Sequence, residues 1–374
     1  MTARFTRPAL AVVKIGSSSL RGPDGRLDRE QVRSLSEQIV AARTLGTRIV
    51  LVSSGAVAAG MGLLGLDRRP TDLPTLQACA AAGQGELIHE YQQHLVGHHL
   101  NAAQILLSQD DFVRRGHYLN ARTTLRRLLE LGLVPIINEN DAVATEELSY
   151  GDNDHLAALV ASMLEADLLV LLSDVDGLYD GDPRADADAR LIDTVSDIHQ
   201  LDLATIGGTG SYVGSGGMRT KVGAARVAAA SAADVVIANA RQEDVLTDVL
   251  AGAPLGTWFV PHPRRLEARR LWIGFALTVH GRIHVDAGAA EALRARGTSL
   301  LSVGVTGVEG TFTEGDAVEV VDPDGAVVAR GLVRYHADDV TRLAGRSTAD
   351  AGREFGSAYR REVIHRDDLV VLPN

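Results

Sequence analysis

The sequence is short of cysteine, aromatic residues, positive charge and, above all, lysine. One cysteine, Cys79, stands among 374 residues. That excludes an internal disulfide framework and a thiolate metal cluster, and it fits a reducing compartment. Aromatics make up 4% of a chain that is 45% hydrophobic, so its cores must be built from Ala, Val, Leu and Ile. A formal charge of −11 argues against a general binder of nucleic acid or anionic membranes. No apolar run approaches the roughly 18 residues needed to span a bilayer. The apolar run 9–13 is too short for a signal peptide and is followed at once by Lys14. The expectation is a soluble cytoplasmic protein with no membrane partner. Finally, of 37 basic residues only Lys14 and Lys221 are lysines. Where arginine fills nearly every ordinary position, a retained lysine marks a place that a guanidinium does not fit, such as a compact point charge against one phosphate oxygen.

The length favours two domains. Up to about residue 260, apolar runs alternate with helical stretches. Strands are expected at 10–16, 47–53, 102–108, 133–138, 167–173 and 234–239, and helices at 28–46, 73–95, 120–132, 153–166 and 218–232. The continuous apolar character of most runs suits strands buried on both faces. The alternation predicts an α/β fold, a three-layer αβα sandwich with a mainly parallel sheet. After residue 270 the pattern becomes short β-like runs with turn signals, DPDG (322–325) among them as a hairpin turn. A domain over 1–265 and a small, mostly β domain over 271–374 are expected. From residue 263 onward the net charge is −1, which leaves −10 on the first part.

The polar residues gather at strand ends. Lys14 closes the first strand, before Gly16, Ser17, Ser18 and Ser19. In an open α/β sheet, ligands collect at the carboxyl ends of strands, and small residues there let backbone N–H groups approach a phosphate. VSSGAVAAG (52–60) is a second such turn, offering Ser53 and Ser54. In INENDAVATEELSYGDNDHLAA (137–158), Asn138, Glu139, Asn140 and Asp141 follow a strand, while Asp152, Asn153 and Asp154 open a helix. One of these three residues is expected to cap the helix; the others could bind a substrate ammonium or hold lysines. Asp174, after Ser173, either meets a nucleotide or terminates its strand. The Gly-rich stretch 205–217 runs into Met218, Arg219, Thr220 and Lys221 in an order unlike G-x-x-x-x-G-K-[ST]. His94, His98 and His99 make a zinc site conceivable, but a helix end with solvated or interfacial histidines accounts for them better, and no metal site is expected.

Two lysines, two Gly-Ser turns, a Gly-rich loop and a carboxylate cluster suggest phosphoryl transfer, which is largely positioning and charge neutralisation. No D-F-G motif and no complete protein-kinase loop H-R-D-x-x-x-x-N is present. A carboxylate acceptor needs no base, because Glu, with a reference pKa of about 4.3, is ionised at neutral pH. Its difficulty is repulsion from the γ-phosphate, which fixed lysines and N–H groups offset.

In this order, VVKIGSSSL, VSSGAVAAG, the INENDAV…GDND stretch, DVDGLYDGDPR and GSGGMRTK resemble the glutamate 5-kinases of the amino acid kinase family. The tail resembles the PUA module many of them append. The resemblance implies ATP-dependent phosphorylation of the L-glutamate side-chain carboxylate, the first step of proline biosynthesis, with Mg2+ carried by the nucleotide. It implies that Lys14 and Lys221 flank the transferring group and that Asp154 orients them. Ser54, Asp141 and Asn153 would hold glutamate, with Asp141 at its ammonium. Lys14, Ser173, Asp174, Ser215, Gly216, Gly217, Met218, Arg219, Thr220 and Lys221 would meet the nucleotide. Ser173 and Ser215 stand where threonine is common, which keeps the hydroxyl. Proline feedback and a homo-oligomer belong to the same implication. The rivals are a related kinase acting on acetylglutamate, aspartate, carbamate or a nucleotide, and an RNA-binding protein acting through the tail. Apart from Arg264, Arg265, Arg269 and Arg270, the tail shows no basic, aromatic-rich stripe.

Overall fold

The computed structural model describes residues 3–108, 111, 112, 114–143, 153–181, 183, 188–198, 201, 217–262, 273, 274, 277 and 279–372. The chain forms two compact units, Met1–Arg265 and Leu266–Asn374. Ser215, Gly216 and the arginines at 264, 265, 269 and 270 lie outside the described residues.

In the first unit, strands and helices alternate: β1 (Leu10–Ile15), α1 (Arg29–Thr44), β2 (Arg48–Ser53), α2 (Ala56–Leu63), α3 (Leu73–Val96), β3 (Ala102–Leu107), α4 (Arg115–Glu130), β4 (Val134–Glu139), α5 (Asn153–Leu164), β5 (Leu168–Ser173), β6 (Thr194–Val195), α6 (Met218–Ala230), β7 (Asp234–Asn239), α7 (Val245–Leu250) and β8 (Thr257–Phe259). The eight strands form one sheet in the order β3-β4-β2-β1-β5-β7-β8-β6. Every pairing is parallel except β7 with β8. All six expected strands are present. The added pair β6 and β8 is too short, at two and three residues, to leave a periodic signature. β1 and β5 are buried along their whole length, as a central parallel strand requires. β3 is not: it is the sheet edge, with three of its six residues partly exposed and Gln104 and Leu106 exposed, and its apolar run reflects one covered face.

Local signals set the helices. Asp28 accepts from the Gln31 N–H at 3.1 Å and caps α1, and Asp72 accepts from Thr75 at 2.9 Å and caps α3, which has Pro74 in its first turn. α4 begins at Arg115, five residues ahead of the expected start. One core joins Ala11, Val13 and Ile15 of β1 to Leu35 and Ile39 of α1, Leu87 and Tyr91 of α3, and Leu246 of α7. Because side chains alternate along a strand, Val12 and Lys14 face the opposite layer, where α5 packs on β1 and on α6. The sheet is thus covered on both faces, giving three layers.

The second unit contains β9 (Val279–Val285), α8 (Ala287–Arg296), β10 (Val305–Gly310), β11 (Ala317–Val321), β12 (Val327–Leu332), α9 (Ala337–Leu343), α10 (Thr348–Glu354) and β13 (Leu369–Val371). Its five strands run β10-β9-β11-β12-β13 around a core that includes Ile283, Val318, Val328 and Ile364. The DPDG stretch turns β11 into β12: Gly325 adopts φ 83°, and Asp322 accepts from the N–H groups of Asp324 and Ala326 at 3.1 and 2.8 Å.

Candidate active site

The carboxyl ends of β1, β2, β4 and β5 lie side by side in the sheet, and the polar residues converge there. At the end of β1, Gly16 leaves the strand; a Cβ on it would lie 3.3 Å from Lys14 Nζ. At the end of β2 the Ser54 N–H donates to Ile15 O at 3.2 Å, which fastens the two turns together. Gly55 then takes φ 107° at the start of α2, a left-handed conformation that glycine adopts without steric penalty.

Asp154, in the first turn of α5, is the centre of the site. Its carboxylate is 1% exposed and faces both lysines of the chain, with Lys14 Nζ 2.6 Å from Oδ1 and Lys221 Nζ 3.2 Å from Oδ2. Thr220 Oγ1 donates to Oδ2 at 3.1 Å as well. Lys14 and Lys221 are themselves buried, at 5% and 6% exposure, whereas Arg219 is exposed. Burial works to raise the Asp154 pKa, but the two ammonium groups outweigh it and hold the carboxyl below its usual range. The result is a fixed pair of positive charges whose spacing is set by one carboxylate. The two lysines meet although 207 positions separate them in the sequence.

The neighbouring residue, Asn153, turns to a different partner set. Its Nδ2 donates to Ser54 Oγ at 2.9 Å and to Asn138 Oδ1 at 3.0 Å, and Asn138 Nδ2 donates to Gln84 Oε1 at 2.9 Å. Beside this chain Ser53 Oγ meets the Tyr91 hydroxyl at 3.0 Å. Asp141 opens a 3-10 turn (Asp141–Val143) after β4, and burial, only partly offset by Arg69, pushes its carboxyl up to about 6. Ser173 closes β5, buried, and donates to the exposed Asp174 at 3.2 Å. Gly217 precedes α6, and its carbonyl, 2.9 Å from Thr220 Oγ1, shares that one hydroxyl hydrogen with Asp154. Met218 and Arg219 follow in the first turn of α6.

The expected residues thus fall into three groups: Lys14, Asp154, Thr220 and Lys221; Ser54 and Asn153, joined by Asn138; and Ser173 with Asp174. Among the described residues, Asp141 is hydrogen-bonded to none of these groups. Gln84 and Tyr91 carry little sequence signal; the one sign of Gln84 is a polar side chain inside the small-residue run AAAGQGE. Of the three histidines, His94 Nε2 lies 3.6 Å from Glu90 Oε1, and His99 takes φ 57° in the turn after α3.

Residues 9–239 match the amino acid kinase family. The chain belongs to that family. Residues 281–355 of this amino acid kinase match the PUA domain. Over 373 residues the chain is 50% identical to the glutamate 5-kinase of Salinispora arenicola, covering all of both chains. It is 48% identical over 375 residues to the glutamate 5-kinase of Thermobifida fusca, covering 100% of this chain and 95% of that one. With the glutamate 5-kinase of Frankia casuarinae it shares 50% identity over 364 residues, 96% of each chain. Among the described residues of this amino acid kinase, no helix is long and apolar enough to cross a membrane.

Proposed function

We propose that this chain transfers the γ-phosphoryl group of ATP to the side-chain carboxylate of L-glutamate, giving L-glutamyl 5-phosphate and ADP. The observation that carries the reading is the buried Lys14–Asp154–Lys221 cluster at the strand ends, next to Ser54 and Asn153. A glutamate carboxylate oxygen attacks the γ-phosphorus while the bond to the β–γ bridging oxygen breaks, and the electron pair leaves with ADP. No proton has to be removed from the acceptor, so the site needs no general base. What it needs is positive charge on both sides of the transferring group, and the two ammonium groups supply it with little reorganisation. Asp154 sets their separation; it does not react.

Ser54, Asn153 and Asp141 would hold glutamate. Asp141, raised toward neutrality by burial, gains from an ammonium partner, which returns it to the ionised form. Lys14, Ser173, Asp174, Gly217, Met218, Arg219, Thr220 and Lys221 would meet the nucleotide; Ser215 and Gly216, expected with them, lie outside the described residues. Mg2+ would arrive on the triphosphate and neutralise its oxygens. The Asp154 carboxylate is not open to a resident metal, because both its oxygens already face ammonium groups. On this reading the product enters proline biosynthesis in the cytoplasm. The family likeness adds inhibition by proline and a homo-oligomeric state, checked by titrating proline into the assay and by sedimentation.

The decisive experiment incubates the protein with ATP, magnesium, hydroxylamine and a panel of carboxylates. Glutamate-dependent hydroxamate is expected. Hydroxamate from acetylglutamate or aspartate instead, or from none of the acids, would refute the reading.

A further inference from the structure

We infer that Gln84, on α3, is a positioning residue for the acceptor: its side-chain carbonyl sets the orientation of the Asn138 and Asn153 amides and so makes Ser54 a donor and Asn153 Oδ1 an acceptor toward the zwitterionic end of an α-amino acid. The inference rests on the glutamate reading above.

A carboxamide has a donor side and an acceptor side, and in a buried chain of amides one orientation dictates the next. Gln84, Asn138 and Asn153 are 7%, 2% and 4% exposed. Asn138 gives its Nδ2 to Gln84 Oε1 at 2.9 Å. That turns Asn138 Oδ1 the other way, where it accepts from Asn153 Nδ2 at 3.0 Å. The same Asn153 nitrogen donates to Ser54 Oγ at 2.9 Å. Both Asn153 hydrogens are thereby used on protein partners, and Ser54, having accepted, has its own hydroxyl hydrogen to give. Asn153 Oδ1 is buried without a hydrogen-bond partner among the described residues. A buried acceptor in that condition carries a desolvation penalty until a donor reaches it.

A free hydroxyl hydrogen beside a buried lone acceptor matches a carboxylate beside an ammonium. Turning any one amide over would put donor against donor or acceptor against acceptor along the chain, so the carbonyl at its far end, Gln84 Oε1, selects the pattern presented at the near end. Gln84 Nε2 is buried without a hydrogen-bond partner among the described residues, so Asn138 is the contact that orients this amide, while the backbone beneath it is fixed by packing. Its neighbour Gly83 lies so close to α2 that a Cβ there would come within 1.9 Å of Ala56 O.

The test compares Gln84→Met, which keeps the volume and removes the acceptor, with Gln84→Glu, which keeps an acceptor oxygen. Hydroxamate formation is followed against glutamate and against ATP, with the thermal midpoint measured alongside. Gln84→Met is expected to raise the glutamate KM about tenfold or more while leaving the ATP KM and kcat near wild type. Gln84→Glu is expected to recover most of the glutamate affinity. A wild-type glutamate KM in Gln84→Met, or equal losses in both variants, would overturn the inference alone. Wild-type protein without glutamate-dependent activity would overturn it together with the reading beneath it.

Discussion

Replacing Asp154 with asparagine removes one charge and almost no volume. In the folded protein the carboxylate is 1% exposed and faces ammonium groups at 2.6 and 3.2 Å. Taking one partner from a buried ion pair destabilises by about 3–5 kcal/mol, because the remaining charge stays buried and uncompensated. Here two lysines are left, but each retains a narrow path to solvent and asparagine still offers one acceptor, so the lower end applies, about 3 kcal/mol. For a unit of this size that lowers the thermal midpoint by on the order of 10 °C. The catalytic effect has a separate origin. Without the shared carboxylate the ammonium groups repel each other, and displacements on the order of 1 Å from the reacting group reduce kcat about 100-fold. The nucleotide provides an internal check: its phosphates replace the missing negative charge, so ATP should raise the midpoint more in Asp154→Asn than in wild type. The pH profile gives another. The Asp154 carboxyl lies below its ordinary value in the folded state, so its stabilisation is fully present above about pH 4 and is lost as pH falls through the folded pKa. The asparagine variant should lack that acid-side loss. Thermal unfolding with and without ATP, together with the hydroxamate assay, measures all of this. Undiminished turnover with an unchanged midpoint would refute the role given to Asp154.

Lys221→Arg keeps the charge but places a planar guanidinium in a position 6% exposed, and should lower kcat about 100-fold while circular dichroism shows a folded protein. Near-normal turnover would mean that the two retained lysines are accidental. With Asp141 at about 6 in the free protein, kcat/KM for glutamate should fall about tenfold per pH unit below that value, whereas kcat/KM for ATP should not follow through this group. Since burial raises the folded Asp141 pKa, its ionised form destabilises the free protein at neutral pH, so Asp141→Asn should raise the ligand-free midpoint at pH 7 while weakening glutamate binding; the stability gain should disappear below about pH 4. Gly60→Ala drives a Cβ to within 1.9 Å of Cys79 O, a backbone atom that cannot swing aside, and should lower stability by about 1–3 kcal/mol or more in a urea titration.

Much of the site was legible because composition and strand ends identify residues one at a time. Lysine scarcity singles out Lys14 and Lys221, the strand ends point to Ser54 and Ser173, and the polar cluster at a helix start points to Asn153. Apolar runs likewise announce β1, β2, β3, β4, β5 and β7. What periodicity could not announce was pairing. Gln84 meets Asn138 across 54 positions, and only the fold, in which α3 packs on the 3-10 turn that follows β4, brings them together. The α2–α3 contact is similar: Gly60 and Gly83 read as weak helix residues, and their use becomes visible when each helix presses on the other's backbone. β8 runs against its neighbour with three residues, too few to carry a direction in their sequence.

Asn153 and Asp154 are consecutive, yet one is hydrogen-bonded to the Ser54 side of the site and the other to the lysines. On the proposed reading, a single peptide bond joins the residue that would hold glutamate to the residue that spaces the lysines. A tilt of α5 would then carry both anchors together, so the separation of the reactants would be a property of one helix turn rather than of two independently moving walls.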